Sequence, residues 1–200
     1  MICNEVTSAI FYDLSSSGWM EMFGLVELHV AETAAELKPV LDKVEAASQQ
    51  GHFAIGYICY EAASGLDTSL SHRPKHSYPL AIFAEFKETR PIDLPSDLRA
   101  VKLRATIGKN CFSQSIGKIR EHLKNGDTYQ VNFTHQLIGD CNEVPLNVFA
   151  KLIQAQPTPH GIFFETEHFA ICSASPELFF SLKNEEIEMK PMKGTRKRGR

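Results

Sequence analysis

Glu177 opens, and Lys193 closely follows, two short apolar runs, "ELFFSL" and "EIEMK", separated by Lys183-Asn184-Glu185. Two such runs around a turn-forming asparagine predict a β-hairpin. With the turn centred near Asn184 and Glu185, paired positions sum to about 369, which sets Glu177 roughly opposite Met192 and within one residue of Lys193. A carboxylate and an amine brought together at neighbouring strand ends fit two kinds of chemistry. Exposed, they form a cross-strand ion pair worth about 0.2–1 kcal/mol, with no further role. Desolvated, the lysine gives up its proton more readily, because burial disfavours the ammonium. The neutral amine is then a nucleophile, and the glutamate can carry a proton for it. Spacing leaves both readings open.

A second stretch, "TYQVNFTHQLIG", alternates. Tyr129, Val131, Phe133 and Leu137 share one face of an expected strand, and Gln130, Asn132, Thr134 and Gln136 share the other. Such a polar face either meets water or, being built of neutral donors and acceptors, walls an uncharged polar ligand. The Lys193-Gly194-Thr195 order does not satisfy the phosphate-loop pattern, in which glycine precedes lysine. The eight histidines show no metal-binding spacing, so that His52, His135 and His160 are expected to be surface or packing residues. The five cysteines never form a C-x-x-C pair. Cys59 and Cys172, in apolar strand-like runs, are expected to be buried reduced thiols.

Several elements must position these groups. Thr33 and Glu36 have capping-box spacing, Leu37, Val40, Leu41, Val44 and Ala47 continue a helical stripe, and Gly51 ends it. "HFAIGYICYEA" and "PLAIFAEF" (Pro79 to Phe86) read as buried strands joined by a polar loop. "KETRPIDLPSD" (Lys87 to Asp97), with two prolines, reads as a linker dividing the chain into residues 1–100 and 101–200. In the second part, Phe112, Ile116, Ile119 and Leu123 predict a helix closed by Gly126, and Pro145 opens another that ends before Pro157. "GIFFET" and "FAICSA" are short strands preceding the hairpin. Strands outnumber helices without a β-α-β alternation, so the expected class is α+β with largely antiparallel sheets packed with helices.

The composition is that of a soluble globular chain of 200 residues, 43% hydrophobic and 22% charged, with a formal net charge of −3. Six of the 21 basic residues fall in "MKPMKGTRKRGR" (Met189 to Arg200), leaving an acidic body with a locally basic end. A nucleic-acid module binding through that end is the reading from a different functional class; the global charge and the absence of interleaved aromatics argue against it. The start of the sequence lacks a secretory signal pattern and no apolar run is long enough for a membrane span, so a cytoplasmic protein is expected.

The stretches "NGDTYQVNFT" (Asn125 to Thr134), "SASPELFF" (Ser173 to Phe180) and "PMKGTRKRG" (Pro191 to Gly199), in this order, resemble the chorismate-using enzymes, and among them the component I family of aminodeoxychorismate (para-aminobenzoate) synthases. "GHFAIGYICYEAA" adds a weaker resemblance in the first half. Anthranilate synthases typically read P-I-A-G-T where this chain has Pro191-Met192-Lys193-Gly194-Thr195, so the lysine favours the aminodeoxychorismate branch over anthranilate synthase component I. The resemblance implies an anthranilate synthase component I-like fold and catalysis by Lys193, attacking C2 of chorismate, with Glu177 as general acid/base. It further implies a substrate-binding surface that includes Gln130, Gly194 and Thr195. Gln130 stands where water-adding relatives carry a lysine, which argues against isochorismate and salicylate synthase activities. Ammonia from a glutamine amidotransferase partner, a fused or separate aminodeoxychorismate lyase, and magnesium are implied as well. The resemblance places the magnesium-binding glutamates, a histidine and most carboxylate-anchoring groups beyond Arg200. No metal ligand is therefore expected here, and residues 1–200 alone are expected to lack the activity. The L-L-E-S motif of tryptophan-binding relatives is absent, and no tryptophan site is expected.

Overall fold

The computed structural model describes residues 5–70, 78–96 and 102–190. These group into two compact units, residues 1–98 with 145–200, and residues 99–144.

The first unit is built on a six-stranded antiparallel sheet. Its strands are β1 (Val6–Asp13), β2 (Gly18–Ala31), β3 (Phe53–Ile58), β4 (Ala81–Pro91), β7 (Ile162–Thr166) and β8 (Ala170–Ser173), in the order β3-β4-β2-β1-β7-β8. β1 joins the two sequence halves: Ile10 lies opposite Phe163 and Phe11 opposite Ile162. The division expected near residue 100 therefore does not separate halves that fold apart, because β1 pairs with β7 on one side and β2 on the other. The expected linker over 87–97 also differs. β4 continues to Pro91, pairing Thr89 with Met22 and Arg90 with Glu21, and the Arg90 guanidinium lies 2.6 Å from the Glu21 carboxylate. Pro91 is tolerated because it ends the strand.

α1 (Ala34–Gln49) starts where the capping box predicts: the Glu36 carboxylate accepts from the backbone N–H of Thr33 at 2.9 Å and of Glu32 at 2.8 Å. Leu37 and Val40 are buried on Ala31, Ala62, Leu80 and Ala81. α3 (Pro145–Ala155) drives Phe149 into Ile10 and Phe163, with Trp19 edge-on at 5.3 Å between ring centres. Fully burying such an aromatic contributes about 1.5–3 kcal/mol. A third cluster packs Val6, Ala9, Met22, Ile55, Ile82, Ala84, Phe86 and Phe164. Gly56 permits a close strand approach, since a Cβ there would lie 1.8 Å from the Ile82 carbonyl oxygen. The strand expected through Ala62 stops at Ile58, and Tyr60–Gly65 winds into a 3-10 helix that buries Ala62.

β9 (Leu178–Lys183) and β10 (Glu186–Lys190) form a separate two-stranded hairpin in this unit. Glu186 lies opposite Lys183, Ile187 opposite Leu182 and Glu188 opposite Ser181, the register expected from the turn. Asn184 and Glu185 both take positive φ, 50° and 67°, the backbone of a tight two-residue hairpin turn.

The second unit holds β5 (Arg104–Ala105), α2 (Lys109–Asn125) and β6 (Leu137–Ile138), with β5 and β6 paired antiparallel. Gly126 ends α2 in the left-handed conformation, φ 80°, as the sequence predicts. The strand expected over Thr128–Gln136 does not form; only Leu137–Ile138 pairs. Alternation alone supplies no partner edge, and an extended segment becomes a strand only when its backbone groups find one. Among the described residues no helix is long and apolar enough to cross a membrane.

Candidate active site

Glu177 stands immediately before β9, exposed, with its backbone N–H 3.3 Å from Ser175 Oγ, whose hydroxyl is in turn 3.3 Å from the Glu177 carbonyl oxygen. This Ser175 turn aims the chain into the hairpin. The loop before it is tied down from outside: Thr158 Oγ1 donates to the Ser175 carbonyl at 2.6 Å, and the Gln156 amide donates to the Ala174 carbonyl at 3.0 Å. The segment just after α3 thus anchors the loop that leads to Glu177. Glu177, Ser175, Leu178, Phe179 and Met189 line an open concavity of about 490 Å³. A carboxylate beside Phe179 and Met189 offers one charged group on a largely apolar wall, a setting that suits a ring-bearing ligand with a single site of proton transfer.

Across the hairpin the ladder shifts by one residue between Glu188 and Lys190, so Lys190 lies opposite Leu178. β10 therefore runs alongside the approach to Glu177, as the register predicts, with a one-residue slip before its end. Lys193, Gly194 and Thr195 lie outside the described residues. Gln130 belongs to the second unit, exposed in the unpaired segment before β6. Its amide is 3.5 Å from Asn132 Oδ1, and its carbonyl accepts from the Thr128 hydroxyl at 3.0 Å. The amide-bearing side chains expected on one strand face are carried instead by this exposed segment.

Cys59 and Cys172 are half-buried rather than fully buried, each directed at a backbone carbonyl, of Pro79 and Pro145 respectively. Burial, followed by the Glu61 charge, pushes the Cys59 thiol above its ordinary range, as fits an inert thiol.

The sequence reading missed a buried polar group. Glu85 of β4 is 6% exposed and lies between two histidines: His29 Nε2 is 2.8 Å from one carboxylate oxygen, and His52 Nδ1 is 2.5 Å from the other. Burial pushes the Glu85 carboxyl up, but the hydrogen bonds with His52 and His29, together with their charges, outweigh it and hold the group below the ordinary carboxylate range. His52 is thus a partner of a buried carboxylate, not the ordinary surface or packing residue expected. The one signal in the sequence is the polar Glu85 and His29 standing within otherwise apolar strand runs.

Comparison with known proteins agrees with the motifs around Glu177. Aminodeoxychorismate synthase component 1 of Bacillus subtilis (strain 168) is 35% identical over 89 residues, 44% of this chain and 19% of that protein. Anthranilate synthase component 1 of Lactococcus lactis subsp. lactis (strain IL1403) is 28% identical over 104 residues, 52% of this chain and 23% of that protein. Anthranilate synthase component 1 of Acetivibrio thermocellus is 31% identical over 96 residues, 48% of this chain and 19% of that protein. The matched stretch thus spans about a fifth of the length of these relatives. No solved structure matches. Residues 80–200, more than half of the chain, match the chorismate binding enzyme family, and the α+β, antiparallel chain described above belongs to that family.

Proposed function

We propose that the chain carries part of an aminodeoxychorismate synthase component I, with an anthranilate synthase component I-like fold, acting on chorismate and ammonia. The observation that carries this reading is Lys193 in Pro191-Met192-Lys193-Gly194-Thr195, following the hairpin whose first strand is immediately preceded by Glu177. In this scheme the neutral Lys193 amine forms a bond to C2 of chorismate. Both conjugated ring double bonds shift, the C4–O bond breaks, and the departing hydroxyl takes a proton from Glu177 and leaves as water. Ammonia then bonds to C4, the C2–lysine bond breaks, and the amine is regenerated, giving 4-amino-4-deoxychorismate. Gly194, Thr195 and Gln130 contribute to substrate binding. Gln130 is a neutral amide that cannot act as the base for water addition. A glutamine amidotransferase would supply the ammonia, and a lyase acting on the product would complete para-aminobenzoate formation.

Magnesium belongs to the same proposal, with ligands outside these 200 residues. Among the described residues the one group that could hold a metal is Glu27, His29 and Glu85. Its buried imidazole does not suit magnesium, which favours oxygen and retained water.

The anthranilate synthase relatives favour a second reading, and Lys193 argues against it. Product identification by ultraviolet spectrum separates the two. In the full-length enzyme, Glu177→Gln is expected to lower ammonia-dependent turnover by about 10²–10⁴-fold, with Lys193→Ala at least as damaging. An unchanged rate in Lys193→Ala would remove the covalent lysine.

A further inference from the structure

The buried group around His29 has an unsatisfied atom. The His29 side chain is 2% exposed, and its Nδ1 has no hydrogen-bond partner. Its other nitrogen, Nε2, is 2.8 Å from Glu85, so the ionised carboxylate favours the tautomer with the proton on Nε2. In the neutral ring with that tautomer, Nδ1 presents a lone pair. The atom facing it is another acceptor, Glu27 Oε1, 3.5 Å away. A buried imidazole nitrogen without a hydrogen-bond partner, facing a carboxylate oxygen, is a place that a cation, either a proton or a metal ion, would satisfy.

The spacing fits a bridging metal ion. Zinc bonds of about 2.0–2.2 Å to imidazole nitrogen and carboxylate oxygen, at a tetrahedral angle, hold those two atoms roughly 3.3–3.5 Å apart. A strong hydrogen bond through a shared proton would be shorter, about 2.7–2.9 Å. The surroundings repeat a known arrangement, a carboxylate that orients a metal-binding histidine through its far nitrogen. Glu85 is that carboxylate, and His52 fixes its second oxygen. The ligand atoms of Glu27, His29 and Glu85 all lie within 4.8 Å of one another. The fold also sets these groups against simple charge balance. A register shift between Leu25 and Glu27 brings Glu27 directly opposite Glu85, and like charges in that position are destabilising unless a cation offsets them. Lys43 of α1 offsets part of this, with Nζ 3.1 Å from Glu27 Oε1.

We propose that Glu27 and His29 bind a borderline divalent cation of the zinc class, with Glu85 as the positioning residue. Glu27 is half-exposed, so water completes the coordination from the solvent side. The imidazole donor selects zinc-class ions over magnesium. Lys43 competes for the same carboxylate oxygen and weakens binding.

The test is calorimetric titration of zinc chloride into the chelator-treated chain at neutral pH, with magnesium chloride as the comparison. One saturable zinc equivalent is expected, with no magnesium uptake at the same site. Glu27→Gln and His29→Gln should each weaken binding about tenfold or more, and Glu85→Gln by a similar factor without abolishing it. Lys43→Ala should tighten it, an effect that a merely structural ion pair would not produce. Glu27→Gln and Lys43→Ala alter exposed side chains, so the test stands even if His29→Gln fails to fold. Nitrogen NMR should find His29 Nδ1 unprotonated and shifted by zinc. No zinc uptake, uptake indifferent to Glu27→Gln, or an Nδ1 proton that zinc does not displace would overturn the proposal.

Discussion

Two hairpins of the molecule, β1–β2 and β9–β10, are built to opposite ends. β1–β2 lies within the six-stranded sheet, and its Ile10 is fully buried among Phe149 and Phe163. β9–β10 pairs only with itself among the described strands, and Phe179, Leu182, Ile187 and Met189 are each more than 60% exposed. The first hairpin is held by what packs on it. The second is held by its own ladder and turn, and it carries Glu177. An exposed apolar hairpin is a costly way to present one carboxylate, unless those side chains serve as the wall of a binding surface. The difference separates scaffold from site: contacts distant in sequence fix one, and local geometry sets the other.

The sharpest way to break this contrast is to truncate one apolar side chain in each hairpin. Ile10→Ala should destabilise the chain by about 2–5 kcal/mol, since it removes fully buried methyl groups from a packed cluster. Phe179→Ala should change stability by no more than about 0.5 kcal/mol, because Phe179 is 83% exposed. Urea unfolding followed by circular dichroism measures both. Equal losses would mean that Phe179 is packed in solution and that the hairpins do not differ as described.

The same contrast explains what could be read from the amino-acid order. Where a few neighbouring residues suffice, the reading is close. The Thr33–Glu36 box starts α1, Gly126 closes α2, and the Asn184–Glu185 turn sets the β9–β10 register. Where the answer depends on a distant partner, it fails. The Gln130–Gln136 alternation looks like a strand but finds no edge, and β4 extends through a proline-bearing segment because β2 lies beside it. β1 and β2 passed unread, although β1 is what ties β7 to the first half of the chain. Glu85 and its histidines are 33 and 56 positions apart, a spacing that carries no local signal. For the candidate site, motif resemblance singled out Glu177 and the hairpin count placed it at a strand end. Local turn geometry cannot extend that count across the Glu188–Lys190 shift.

A smaller effect tests whether the exposed hairpin is held by its turn. Glu185 sits at φ 67°, where a side chain crowds the backbone and glycine does not. Glu185→Gly makes the favoured Asn-Gly turn and should stabilise β9–β10 by about 0.5–1 kcal/mol. The readout is slower amide hydrogen exchange at β9 and β10, with no change in β1 or β2. Slowing in both hairpins would show that β9–β10 is coupled to the sheet.

The smallest effect concerns the turn of the buried hairpin. Asp13 accepts from Ser15 Oγ at 2.7 Å, from Ser15 N–H at 3.0 Å and from Ser16 N–H at 3.1 Å. The Ser15 hydroxyl, then Ser16 and the Ser15 backbone, hold its carboxyl down from the usual 3.8 to about 2. A depressed folded pKa means that the unfolded chain takes up the proton first. Asp13 therefore contributes stability above the usual carboxylate pKa, and the contribution is lost as pH falls through 3.8 towards about 2. The carboxylate is fully exposed, so solvent screens it and the effect on global unfolding is slight. Carbon NMR of the Asp13 carboxyl should give a midpoint near 2, and a midpoint near 3.8 would show that the turn is open in solution. Because packing rather than the turn holds β1–β2, protection of its strand amides should persist in Asp13→Ala at neutral pH. In β9–β10 the turn carries the pairing, and the equivalent disturbance, replacing Asn184 with valine, should abolish strand protection there.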